Sequence, residues 1–118
     1  MSRWKEAYDR MCAGTDDTCN AIVARLVSAG WAPDRILKNV VTRTYGPNQA
    51  VLRVHIDVKT DRYWLDGEYV SEGQNALGAC HEAFDPLPSS SELETRLSAF
   101  LTEVEREIQG TFAMRFLA

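Results

Sequence analysis

The absences in this sequence exclude more than its motifs assert. It has 3 cysteines, Cys12, Cys19 and Cys80. That count is odd and the spacing irregular, a poor disulfide framework, so free thiols are expected. No two of them lie two to four residues apart, the usual announcement of a zinc site, so no metal is expected. Neither GxGxxG nor GxxxxGK occurs, so there is no glycine-rich cradle for phosphates and no cofactor is expected. No apolar run approaches the roughly 18 residues that span a bilayer, and no membrane role is expected. The opening residues, Met1-Ser2-Arg3-Trp4-Lys5-Glu6, lack the apolar stretch of a signal peptide. A cytoplasmic protein is the expectation. Neither internal repeats nor low-complexity segments are visible.

The composition is that of one ordinary domain spanning residues 1–118, with 45% hydrophobic and 25% charged residues. The net charge of -4 is unevenly spread. Residues 1–56 hold 8 basic and 5 acidic side chains, whereas residues 57–107 hold 4 basic and 12 acidic. An acidic half opposes phosphate backbones, so direct nucleic-acid binding is not expected, and it favours a basic protein partner.

Trp4, Tyr8, Met11, Cys12, Thr15, Cys19, Ile22, Val23, Leu26 and Ala29 recur at three- and four-residue steps and predict a helix with one buried stripe. Ser2 can cap it and Gly30 can close it. Gly14 interrupts it, and Thr15 could start a second helix. The stripe keeps its phase across Gly14, which favours one long helix. Residues 36–45 are β-branched enough for a strand, and Gly46-Pro47-Asn48-Gln49 is a turn cluster. Leu52, Val54, Ile56 and Val58 then alternate with Arg53, His55, Asp57 and Lys59.

Residues 62–70 follow after Thr60-Asp61, and a two-residue turn would make an antiparallel pair. That register sets Ile56 opposite Leu65, Leu52 opposite Tyr69, Arg53 opposite Glu68, His55 opposite Asp66 and Asp57 opposite Trp64. Ser71 with Gln74 has the capping-box pattern, and Ala76, Leu77, Cys80, Ala83 and Phe84 follow at helical spacing. Ser91 with Glu94 opens another helix, striped by Leu93, Leu97, Phe100, Leu101, Val104 and Ile108 and closed by Gly110. Phe112, Met114 and Phe116 alternate as in a last strand. The expected fold is α+β, in the order α-β-β-β-α-α-β, an antiparallel sheet with helices packed on one face.

The α-β-β-β-α stretch, over roughly residues 15–84, resembles double-stranded-RNA-binding domains in element order. Where those domains start their final helix with lysines, this chain has Glu72, Gly73, Gln74 and Asn75. The phosphate-binding cations are missing, so the resemblance does not carry the RNA-binding function with it.

No catalytic residue stands out. In Cys80-His81-Glu82, neighbours on a helix point about 100° apart, so His81 cannot serve Cys80 as a base. The binding candidates are Arg53, His55, Asp57, Trp64, Asp66 and Glu68, which share the sheet face away from the aliphatic side chains. Trp64 among charges resembles an interface anchor. The functional expectation is a non-enzymatic protein-binding module, an inhibitor of a basic, nucleic-acid-handling partner. Nuclease immunity proteins and anti-CRISPR inhibitors are analogies of size and charge. One alternative is a small enzyme or ligand-binding domain with a site near His55, Asp57 and Asp66. Another is a homodimeric structural module.

Overall fold

The computed structural model describes residue 4 and residues 16–57, 59–60, 62–71, 76–84 and 87–117. Helix α1 (Asp17–Ser28) starts where Asp16 adopts an extended backbone and its carboxylate accepts the Cys19 N–H at 2.9 Å. An extended residue cannot continue a helix, so one helix does not run through to Ala29, and the cap of this helix is Asp16 rather than Thr15. Trp4 is helical but 84% exposed, so it is not on a buried stripe. The expected helical positions Tyr8, Met11, Cys12 and Thr15, and the cap Ser2, lie outside the described residues. At the other end Gly30 has φ +104°, Gly30 N–H bonds to Val27 O and Trp31 N–H to Leu26 O. This is the Schellman closure expected of a C′ glycine.

Strand β1 (Ala32–Pro33) pairs with β2 (Val40–Tyr45), which starts later than residue 36. Asp34 accounts for the delay: its carboxylate accepts the N–H groups of Ile36 and Leu37 and fixes a turn there. Gly46 (φ +63°) and Pro47 then turn β2 into β3 (Asn48–Asp57), with Tyr45 facing Asn48. A glycine with positive φ followed by proline suits a two-residue hairpin turn. The register of β2 on β3 places Val41 opposite Leu52 and Arg43 opposite Ala50.

Strands β3 and β4 (Arg62–Ser71) form the expected hairpin in a different register. Leu65 faces Val54, Trp64 faces His55, Asp66 faces Arg53, Tyr63 faces Ile56 and Arg62 faces Asp57. A slip of two residues keeps every side chain on its expected face while changing every partner. Its cause is the turn. Thr60-Asp61 lacks the Gly or Asn that a tight two-residue turn wants, and the Asp57 carboxylate instead accepts the Lys59 N–H, with Thr60 N–H on the Asp57 carbonyl. The loop is thereby lengthened. Val58, which ends the alternating run, lies outside the described residues.

Two expected elements are replaced. Residues Ala76–Phe84 form strand β5, not a helix, and pair along β4 from Tyr63–Phe84 to Val70–Ala76 with a bulge near that end. The last strand expected near Phe112 is absorbed into α2 (Ser90–Leu117), which runs through Gly110. The order is therefore α-β-β-β-β-β-α. The strand where a final helix was expected also ends the likeness to double-stranded-RNA-binding domains. The expected class holds: an antiparallel sheet in the order β1-β2-β3-β4-β5, α+β, with both helices packed on one face. Between them Ile22, Leu26, Leu52, Leu65, Phe84, Leu97 and Val104 form the core, each no more than 2% exposed. No helix among the described residues is long and apolar enough to cross a membrane.

The run of α2 through Gly110 makes a discriminating prediction. A C′ glycine resists substitution, but a mid-helix glycine costs about 1 kcal/mol relative to Ala. A Cβ on Gly110 meets nothing within 4 Å. Gly110→Ala should therefore stabilise the fold by about 0.5–1 kcal/mol in chemical denaturation. A loss instead would put the helix end at Gly110.

Candidate binding face

Helices α1 and α2 cover one side of the sheet, and no described element covers the other. Side chains alternate along each strand, so residues opposite one another share a face. The open face accordingly carries Arg53, His55 and Asp57 from β3 and Trp64, Asp66 and Glu68 from β4. It also carries Ala79, His81 and Ala83 from β5, because Ala79 faces Glu68, His81 faces Asp66 and Ala83 faces Trp64. All six candidates from the sequence thus lie together. His81 is the addition. Assigned to a helix it seemed remote, but on β5 it sits beside Asp66.

Trp64 is the centre of the face. Its indole stacks on His55, with ring centroids 5.1 Å apart and planes within 12°. The residue paired with it on its other side is Ala83, and Trp64 is half-buried. Next to it runs a charged ladder. His55 Nε2 lies 2.9 Å from Asp66 Oδ2, Arg53 lies 3.5 Å from Asp66, and Arg53 lies 3.8 Å from Glu68. The His55 ring beside it, reinforced by Arg53, holds the Asp66 carboxyl below the usual range. A depressed folded pKa stabilises the fold above the unfolded value near 3.8, and that contribution is lost as pH falls through the folded one. Asp57 is turned away from the group, since its carboxylate is spent on the Lys59 N–H.

The charge asymmetry of the sequence is partly consumed inside the molecule. Arg25 bridges to Glu94 at 2.7 Å and Arg43 to Glu105 at 2.9 Å, while Arg53 takes Asp66 and Glu68. Basic residues of the first half thus pair with acidic residues of the second. These pairs are partly exposed and individually worth little, but they leave fewer carboxylates for a partner. The acidity that remains is mixed with Arg53 on the sheet face.

Burial disfavours the thiolate at both described cysteines. Burial, with Asp16 beside it, pushes the Cys19 thiol up to about 12. Cys80 sits on β5 facing the helices rather than on a helix stripe, and burial raises its thiol as well. His81 points to the opposite face of the strand, so it is no base for Cys80. Cys12 lies outside the described residues. Among the described residues no group of three His, Cys, Asp or Glu could hold a metal.

Among the described residues, fold and face together define a five-stranded antiparallel meander backed by two helices, with an aromatic and charged sheet face that no described element covers. No protein family, curated relative or solved structure matches this chain.

Proposed function

We propose that this is a non-enzymatic protein-binding module that docks a basic partner on the open sheet face. The observation that carries the reading is the Trp64–His55 stack, half-buried on the sheet face away from the described helices, with Asp66 two residues further along the same strand. A lysine or arginine laid over an indole is attracted by the ring, and adjoining carboxylates add to that attraction. Aromatic anchors of this kind dominate binding at protein interfaces. Inhibition of a nucleic-acid-handling partner, in the manner of immunity proteins or anti-CRISPR inhibitors, is the form this proposal takes by size and charge.

The enzyme reading draws on the 2.9 Å His55–Asp66 contact. Against it, the Asp57 carboxylate is withdrawn into its turn, where it accepts the Lys59 N–H.

A pull-down from the source cell, followed by surface plasmon resonance, tests the proposal. Trp64→Ala should raise the dissociation rate and cost at least about 2 kcal/mol. Reversing Asp66 and Glu68 to Lys should mainly slow association, increasingly so at low salt. None of these variants should unfold the domain, although Asp66→Lys should lower the melting temperature modestly because it loses the His55 and Arg53 pairs. Partner binding that is indifferent to all of these changes would remove the sheet face as the site.

A further inference from the structure

We infer that the groove between β5 and α2 is a second docking site, one that takes a short, extended, basic peptide segment as an added strand. The groove has a volume of about 300 Å³. Its floor is apolar, from Phe100, Val104 and Ala99, and Glu82, Glu103 and Glu107 stand around it. No lysine or arginine is among its described lining residues, although Arg106 pairs with Glu103 from outside at 3.1 Å and the Tyr69 hydroxyl donates to Glu107, so the three carboxylates leave the rim net negative rather than unopposed. Arg96 reaches one end, where it binds Glu82 at 2.6 Å and the Ala83 carbonyl at 2.7 Å.

That last hydrogen bond orients the edge of the sheet. The Ala83 carbonyl meets a helix side chain, so it points away from β4. Because peptide groups alternate along a strand, the N–H and C=O groups of Ala79 and His81 point the same way. No described strand pairs with that side of β5. An edge with free peptide groups beside an apolar cleft is what strand addition uses: main-chain bonds supply affinity and the cleft sorts side chains.

The occupant follows from length and charge. The bulge near Val70–Ala76 interrupts one end of the edge and Arg96 occupies the Ala83 carbonyl at the other. The window between them is too short for two sheets to join. A second copy paired there about a two-fold axis would also bring its own Glu82, Glu103 and Glu107 against these, and like charges oppose pairing. The opposite sheet edge is closed to such pairing as well, since β1 has only 2 residues and one is Pro33. A peptide carrying lysine or arginine meets the acidic rim favourably, while an aliphatic residue between them fits over Phe100 and Val104.

The test uses a fluorescein-labelled, end-capped heptapeptide of alternating lysine and valine, followed by fluorescence anisotropy and amide hydrogen exchange. The peptide should bind, slow exchange at the Ala79 and His81 amides, and bind more weakly at high salt. Ala99→Trp, which fills the groove from an exposed position, should weaken binding at least about tenfold. Glu103→Lys should do the same by charge, and it remains informative if the tryptophan disturbs the fold. N-methylation of the peptide backbone on alternate residues should abolish binding in one phase and spare it in the other. Trp64→Ala should leave peptide binding unchanged, which separates this site from the sheet face. No binding at millimolar peptide would overturn the inference. So would binding that Glu103→Lys and N-methylation do not alter, or that leaves Ala79 and His81 unprotected.

Discussion

Gly67→Ala is expected to destabilise the domain by about 3 kcal/mol or more, at or above the upper end of ordinary overpacking. Gly67 lies in the middle of β4, between Leu52 on β3 and Cys80 on β5. A Cβ there would run into the Val51 carbonyl oxygen and come within 2.6 Å of Leu52 Cδ2 and 3.1 Å of Cys80 Sγ. The leucine could rotate and the sulfur could give a little. The carbonyl belongs to a strand paired on both sides, so relieving it means moving the ladder. Glycine is required here by close backbone approach, without any unusual dihedral. Urea denaturation measures the loss. Adding Cys80→Ala should recover only a minor part, because the sulfur is the lesser obstacle. A loss below about 1 kcal/mol would mean that the central sheet is looser than its packing indicates.

The sequence could show the faces of the central hairpin but not its register. Alternation from Leu52 to Val58 assigns sides by parity, and a two-residue slip preserves parity. The six candidate residues therefore fell together on one face, while their neighbours were misassigned: His55, not Asp57, stands beside Trp64. Register depends on the turn, and the Asp57 side chain decided the turn by hydrogen-bonding to backbone ahead of it. The partner of Arg43 is Glu105, on a helix 62 residues away, which no strand alternation contains.

Strand β5 was not legible for a deeper reason. Ala76, Leu77, Cys80, Ala83 and Phe84 sit at helical spacing, alanine favours helices, and the segment has no β-branched residue. What makes it a strand is pairing with β4, a tertiary effect that local preference does not contain. With β5 hidden, His81 could not be placed on the open face. Gly110 misled in the opposite sense. Its cost inside a helix is modest, and burial of Val104 and Ile108 beneath the same helix helps to outweigh it. Summed charges carry no geometry: several carboxylates of the acidic second half face arginines of the first half, which the sum could not show.

Phe84→Ala should cost about 3–5 kcal/mol, the range for deleting a buried aromatic ring. Phe84 is fully buried, faces Tyr63 across the ladder, and supports the Arg96 guanidinium 4.7 Å from its ring centre. Arg96 also binds Glu82 and the Ala83 carbonyl, so one side chain of α2 touches three consecutive residues of β5. Only a strand permits this arrangement. On a helix, residues two apart point about 200° from each other, and Glu82 and Phe84 could not both meet one guanidinium. On a strand they share a face. Double-mutant cycles with Arg96→Ala should consequently give measurable coupling to both Glu82→Ala and Phe84→Ala, each about 0.5–1 kcal/mol. Arg96→Ala alone should cost far less than Phe84→Ala, because the ion pair is about one-third exposed and partly screened by water. A Phe84→Ala loss under about 1 kcal/mol would take the ring out of the core. Coupling of Arg96 to only one of the two residues would return the segment to a helix. It would also take away the free edge on which strand addition at Ala79 and His81 depends.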